Sequence, residues 1–160
     1  MFVNNTFIFS MARVVDNTDP YSSLYFEVDE GEVDEHGDVV GVPGFIWSQN
    51  KSNINIAAHE FSFYYARRIF DDDKIYYDEP DKRHSIGEDR RWTVGRALKQ
   101  PNRILLVCDT EIEPSGVIRI YSARELNKGE ALYKRFENYE KEQIAMSFKR
   151  STSRMVYLKK

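Results

Sequence analysis

Apolar residues follow two rhythms along this chain, and the changes between them mark its elements. Over residues 1–44, short runs rich in β-branched and aromatic side chains ("FVNNTFIFSMARVV", "SLYFEV", "DVVGVP") are separated by "DNTDP", "DEGEVDEHGD" and "VPG". This predicts two or three short strands and no helix. Pro43–Gly44 is the best boundary. In "FIWSQNKSNINIAAHEFSFYYARRIFDDD", Phe45 to Trp47 predict a strand. Ser48 or Asn50 can cap a helix that ends near Ala58, with Ile54 and Ala57 or Ala58 inward. Ser62 can cap a second helix over Phe63 to Phe70.

Period two then returns. "KIYYDE" predicts a strand and "PDKRHSIGED" a polar loop. "RRWTVGRAL" predicts a strand with Trp92, Val94 and, past an irregularity at Gly95, Ala97 on one side. "RILLVCDT" is apolar at successive positions, as in a strand buried on both faces. After "EIEPSG", "VIRIYSAR" alternates Ile118, Ile120 and Ser122 against Val117, Arg119 and Tyr121. In "ELNKGEALYKRFENYEKEQIAMSFK", Leu132, Phe136, Tyr139 and Met146 form one helical stripe. Glu130–Lys134 and Glu137–Lys141 support that helix as i, i+4 pairs. The expected fold is α+β: a small antiparallel sheet, a three- to four-stranded meander, with two short N-terminal helices and a long C-terminal helix packed on it. A β-rich N-terminal extension precedes it. The expected divisions are an acidic extension 1–44, a main domain 45–150 and a tail 151–160.

Composition narrows the class. With 160 residues, 41% of them hydrophobic and 14% aromatic, the chain can bury one real core. No stretch approaches the roughly 18 apolar residues of a membrane span. The start lacks a basic n-region and a cleavage site, so no signal peptide is expected. The single cysteine, Cys108, excludes an internal disulfide; the cytoplasm is the simplest compartment and a small core residue its simplest role. Residues 1–44 carry nine acids and one base (net −8), leaving +5 on the rest of a chain of net charge −3. A basic body suits an anionic partner. Three arginines, Trp92 and a Glu-Asp pair crowd "GEDRRWTVGRAL", and arginine's donor fork suits phosphates and carboxylates.

The same residues carry a resemblance. "FIWSQNKSNINIAAHEFSFYYARRIFDD" matches the opening pattern of the BrnT family at Phe45, Trp47, Lys51, Asn55, His59, Phe61, Ser62, Phe63, Ala66, Phe70 and Asp71. Gly87, Glu88, Arg90, Val94 and Gly95 match its middle pattern. "RIYSAREL" supplies its late signature at Arg119, Ile120, Ser122, Ala123 and Arg124, followed by Glu130 and Tyr133. The chain departs from the pattern at Ser48, where the family has Asp, and at Glu60, where it has Gly. The resemblance covers roughly residues 45–137 and says nothing of the leader. It implies a RelE/ParE-like fold with helices on one face of the sheet, and a ribonuclease toxin of a bacterial type II toxin–antitoxin pair. It also implies a ribbon-helix-helix, BrnA-like antitoxin as partner, with DNA bound only through the antitoxin and no membrane.

Metal-free RNA cleavage needs a base for the ribose 2′-hydroxyl, cations for the phosphorane oxygens and an acid for the leaving 5′-oxygen. The candidates are Lys51, His59, Glu88, Arg90, Arg119 and Arg124. Arg119, inside an apolar strand, must clamp a phosphate, pair with an acid such as Glu88, or sit at a sheet edge. Arg124 is a site cation or a charge at a helix start. Arg91 and Arg96 are expected to face solvent or to make backbone-positioning contacts. Lys51 can be base or phosphate ligand, His59 and His84 acid–base groups, and Glu88 a base or an orienting group. Trp47 and Trp92 can stack a base or fill the core. Three histidines and one cysteine show no ligand spacing, and no cofactor is expected. The competing reading is a non-catalytic RNA- or protein-binding module of the same fold, its acidic extension shielding the basic cleft.

Overall fold

The computed structural model describes residues 31–71, 75–80, 89–97 and 103–157. The strands expected within residues 1–30, the loop carrying His84 and Glu88, and the last three residues lie outside the described residues. In chain order come β1 (Glu32–Val33), β2 (Asp38–Val40), β3 (Phe45–Ser48), α1 (Gln49–His59), α2 (Phe63–Ala66), a 3₁₀ turn (Arg67–Asp71), β4 (Tyr76–Pro80), β5 (Arg91–Arg96), β6 (Ile104–Ile112), β7 (Val117–Glu125) and α3 (Ala131–Tyr157).

The fold class is α+β, but the sheet differs from the small antiparallel meander expected. Seven described strands make one mixed sheet in the order β1-β2-β3-β7-β6-β5-β4. β4 to β7 form the expected meander. β3 joins β7 in parallel, with Phe45 opposite Ile118 and Trp47 opposite Ile120. The leader continues the sheet, since Val39 pairs with Trp47 and Val33 with Val39. Pro43–Gly44 is a turn: Phe45 N–H donates to Val42 C=O (3.1 Å), and Gly44 takes a φ of +78° that glycine adopts without strain.

The helices cover both faces, not one. Leu105, Val107, Ile120, Ala123, Trp47 and Val39 form a core with Phe61, Phe63, Tyr65, Ala66 and Ile69 from the α1–α2–3₁₀ stretch. The alternate residues Ile104 and Leu106, with Val94, pack under Leu132, Tyr133 and Phe136 of α3. β6 has apolar side chains of both parities, so each side of it must be covered.

Ser48 and Ser62 cap α1 and α2 as expected, their hydroxyls accepting from Lys51 N–H and Tyr65 N–H. The inward face of α1 does not follow the apolar pattern. Ile54 is 58% exposed, and Ser52 and Asn55 are buried instead. The reason is backbone satisfaction. Ser52 Oγ accepts from Phe63 N–H (3.0 Å), Asn55 Nδ2 donates to Phe61 C=O (2.9 Å), and Asn55 Oδ1 accepts from Ala123 N–H (3.1 Å). Thus α1 starts where β3 stops and takes over the exposed edge of β7. The second helix keeps only one α turn before tightening to 3₁₀. Leu132 and Phe136 are buried along α3, whereas Met146 of the expected stripe is 46% exposed.

β7 is not a regular strand. Cys108 pairs with Ser122 but Asp109 pairs with Ile120, so Tyr121 is an extra residue with no partner on β6. Such a bulge resets the alternation. Ile120 and Ala123 both face the first core, while Arg119 (opposite Thr110), Ser122 (opposite Cys108) and Arg124 (opposite Leu106) share α3's face.

Candidate functional site

α3 covers only one end of its sheet face, over Val94, Ile104 and Leu106. The other end carries Trp92, 36% exposed and opposite Cys108, together with the exposed Ser122 and the half-buried Arg119. Arg90 falls on this face too, two residues before Trp92. Tyr121, two residues past Arg119, falls on the same side, and Arg90 Cζ lies 3.9 Å from its ring centroid. Lys51, exposed in the first turn of α1, brings Nζ to 5.4 Å from the same centroid. Three segments far apart in sequence thus meet at one half-exposed ring.

The candidates separate on this frame. Lys51 and Arg90 come together. Arg119 shares the face, and its Nη1 donates to Asp38 Oδ2 of β2 (3.0 Å). Arg124 shares it as well, but both terminal nitrogens go to Glu130 (2.9 and 2.8 Å), and Nη1 also reaches Glu125 C=O. This fork-on-fork pair raises the arginine's pKa and holds Glu130 at about 2. Glu130 further accepts from Asn127 N–H (2.8 Å), so the pair fixes the corner between β7 and α3. His59 is exposed at the far end of α1, about 12 Å along the helix axis from Lys51. Glu88 is outside the described residues.

Two arginines expected to face solvent or to make backbone-positioning contacts are bound within the molecule. Arg91 Nε donates to Asp109 (2.7 Å), and Arg96 grips Glu140 of α3 with Nε and Nη2 (2.8 and 2.9 Å). Asp109 is fully buried; burial pushes its pKa up, against the Thr93 hydroxyl (2.6 Å) and Arg91. This group lies on the first face, away from Tyr121. Trp47 is a core residue with no exposure. Among the described residues no cluster of three or more His, Cys, Asp or Glu could hold a metal ion. No helix among them is long and apolar enough to cross a membrane.

Sequence reasoning missed Tyr121 and Asp38. The signal for Tyr121 was the spacing of Arg119 and Arg124. Five residues apart, they fall on opposite sides of a regular strand and share a side only through a bulge. Asp38 had no local signal, because its partner is 81 residues away.

A family model described as the ribonuclease toxin, BrnT, of type II toxin–antitoxin systems matches residues 47–130, just over half of the chain. The match takes in Lys51, His59, Arg90, Arg119, Tyr121 and Arg124, and leaves out β1, β2 and the whole of α3. No curated protein matches the chain.

Proposed function

This chain belongs to the BrnT family, the ribonuclease toxins of type II toxin–antitoxin systems, and from that premise we propose that it cleaves RNA on the uncovered half of the sheet, through a metal-free cationic site. The observation that carries this reading is the arrival of Lys51, Arg90 and Arg119 on one accessible face within the matched span. Arg90 and Arg119 bind the scissile phosphate and stabilise charge on the phosphorane oxygens. Lys51 serves as the base for the 2′-hydroxyl or as a further phosphate ligand. Glu88 orients this set or accepts the proton. Trp92 offers a face on which a base stacks. His59, exposed at the far end of α1, stands apart from this set. Arg124 keeps its structural bond to Glu130.

The partners are RNA and a ribbon-helix-helix, BrnA-like antitoxin that brings carboxylates to the cationic face and contacts DNA itself; the setting is the cytoplasm. Induced expression with in vitro cleavage tests the proposal. Arg90→Ala and Arg119→Ala should each slow cleavage by about 10²–10³-fold and relieve growth arrest. Cleavage at the wild-type rate in both variants would refute it.

A specific contact favours a second reading, in which the leader restrains this site. Asp38 lies outside the matched span and occupies a donor of Arg119 (3.0 Å) as a phosphate oxygen would. Asp38→Asn should then increase RNA cleavage; unchanged or weaker cleavage would leave Asp38 a purely structural partner.

A further inference from the structure

We propose that Tyr121 is a positioning residue that gathers Lys51 and Arg90 into a two-cation clamp for the phosphates of single-stranded RNA, an inference that rests on the ribonuclease reading above. The two cations come from the first turn of α1 and the approach to β5, on opposite sides of β7 in the sheet order. Left to themselves, two like charges brought to one place repel. The ring draws both of them, because the negative face of an aromatic attracts a cation lying over it. Arg90 Cζ at 3.9 Å and Lys51 Nζ at 5.4 Å from the centroid both fall within its range of about 6 Å. A cation–π contact uses no N–H donor, so it orients both groups without occupying the hydrogens that a phosphate oxygen accepts.

Alternation from Arg119 puts the ring on the side on which Arg90 lies. The extra residue then returns Ser122 and Arg124 to that side as well. The half-exposed ring and the exposed Trp92 on the same face leave room for bases beside the clamp.

The test uses the full chain and a labelled 2′-O-methyl oligoribonucleotide of about twelve residues, which lacks the nucleophilic hydroxyl and so reports binding alone. Affinity is measured against salt concentration. Each phosphate contact on a single strand contributes about 0.7 to the slope of log K against log salt. Tyr121→Phe keeps the ring and should keep the wild-type slope. Tyr121→Leu removes the ring and should flatten the slope by about 0.7 to 1.4, one to two phosphates. Lys51→Met, at an exposed helix position, should flatten it by about 0.7. Tyr121→Leu added to Lys51→Met should then change it less than in the wild type, because one of the cations it places is already gone. Wild-type affinity and slope in Tyr121→Leu would overturn the inference, as would Tyr121→Phe behaving like Tyr121→Leu, which would assign the role to the hydroxyl. If Tyr121→Leu melts well below wild type, the Lys51→Met comparison decides alone, and an unchanged slope there overturns the clamp. A wild-type chain that neither binds this oligonucleotide nor cleaves its unmodified counterpart would bring down the ribonuclease reading itself, and the clamp with it.

Discussion

Asn55 uses both ends of its amide to tie three segments together, donating to Phe61 C=O and accepting from Ala123 N–H. Removing it strands two buried backbone groups, at about 1–3 kcal/mol each. Asn55→Ala should therefore lower unfolding free energy by about 3 kcal/mol, read from a denaturant midpoint at unchanged m. Asn55→Asp should be no milder, because a carboxylate cannot donate to Phe61 C=O. Glu130 sets a pH window. Its pKa falls from 4.5 to about 2 in the fold, chiefly through Arg124, so its stabilisation is present above pH 4.5 and disappears as pH falls towards 2. The pair is partly exposed, and solvent moderates the size of the effect. Glu130→Gln should lose less stability than wild type between pH 5.5 and 3, measured by denaturant titration at both values. Equal losses would place the acid sensitivity elsewhere.

At the scale of elements, what could be read from sequence was local. The caps at Ser48 and Ser62, the two-sided burial of β6 and the long final helix all follow from neighbouring residues. The two covered faces were implicit in "ILLVC", where successive apolar residues cannot all be served from one side. The parallel seam between β3 and β7 was not legible, because alternation within "FIW" identifies a strand and says nothing about its partner. The polar inward face of α1 was hidden for a similar reason: Ser52 and Asn55 answer to backbone groups of other segments. Gly95 looked like an irregularity and is a close approach. A Cβ there would lie 3.0 Å from Ile69 Cβ and 3.2 Å from Ile75 Cγ2. Gly95→Ala should cost about 1–3 kcal/mol by overpacking β5 against the 3₁₀ turn, again read from the denaturant midpoint. No loss at that position would mean that the turn yields easily.

Over the whole molecule, the leader and the matched span are structurally joined, because β1 and β2 extend the sheet past β3. Deleting residues 1–44 therefore does two things at once: it leaves β3 as an edge strand and removes Asp38 from Arg119. The truncated chain should be less stable and more prone to associate than Asp38→Asn, a difference that melting and light scattering can measure. Of the site, the sequence pointed to the cations; the ring that collects two of them was passed over because the register of β7 is set by pairing with β6. That register also governs how the chain tolerates changes of length. A codon lost at 121 would straighten β7 without turning either arm over, because Ile120 would still lie opposite Asp109 and Ser122 opposite Cys108; only the ring would go. Relatives that lack the supernumerary residue can keep both guanidinium groups on one side only by spacing them an even number apart.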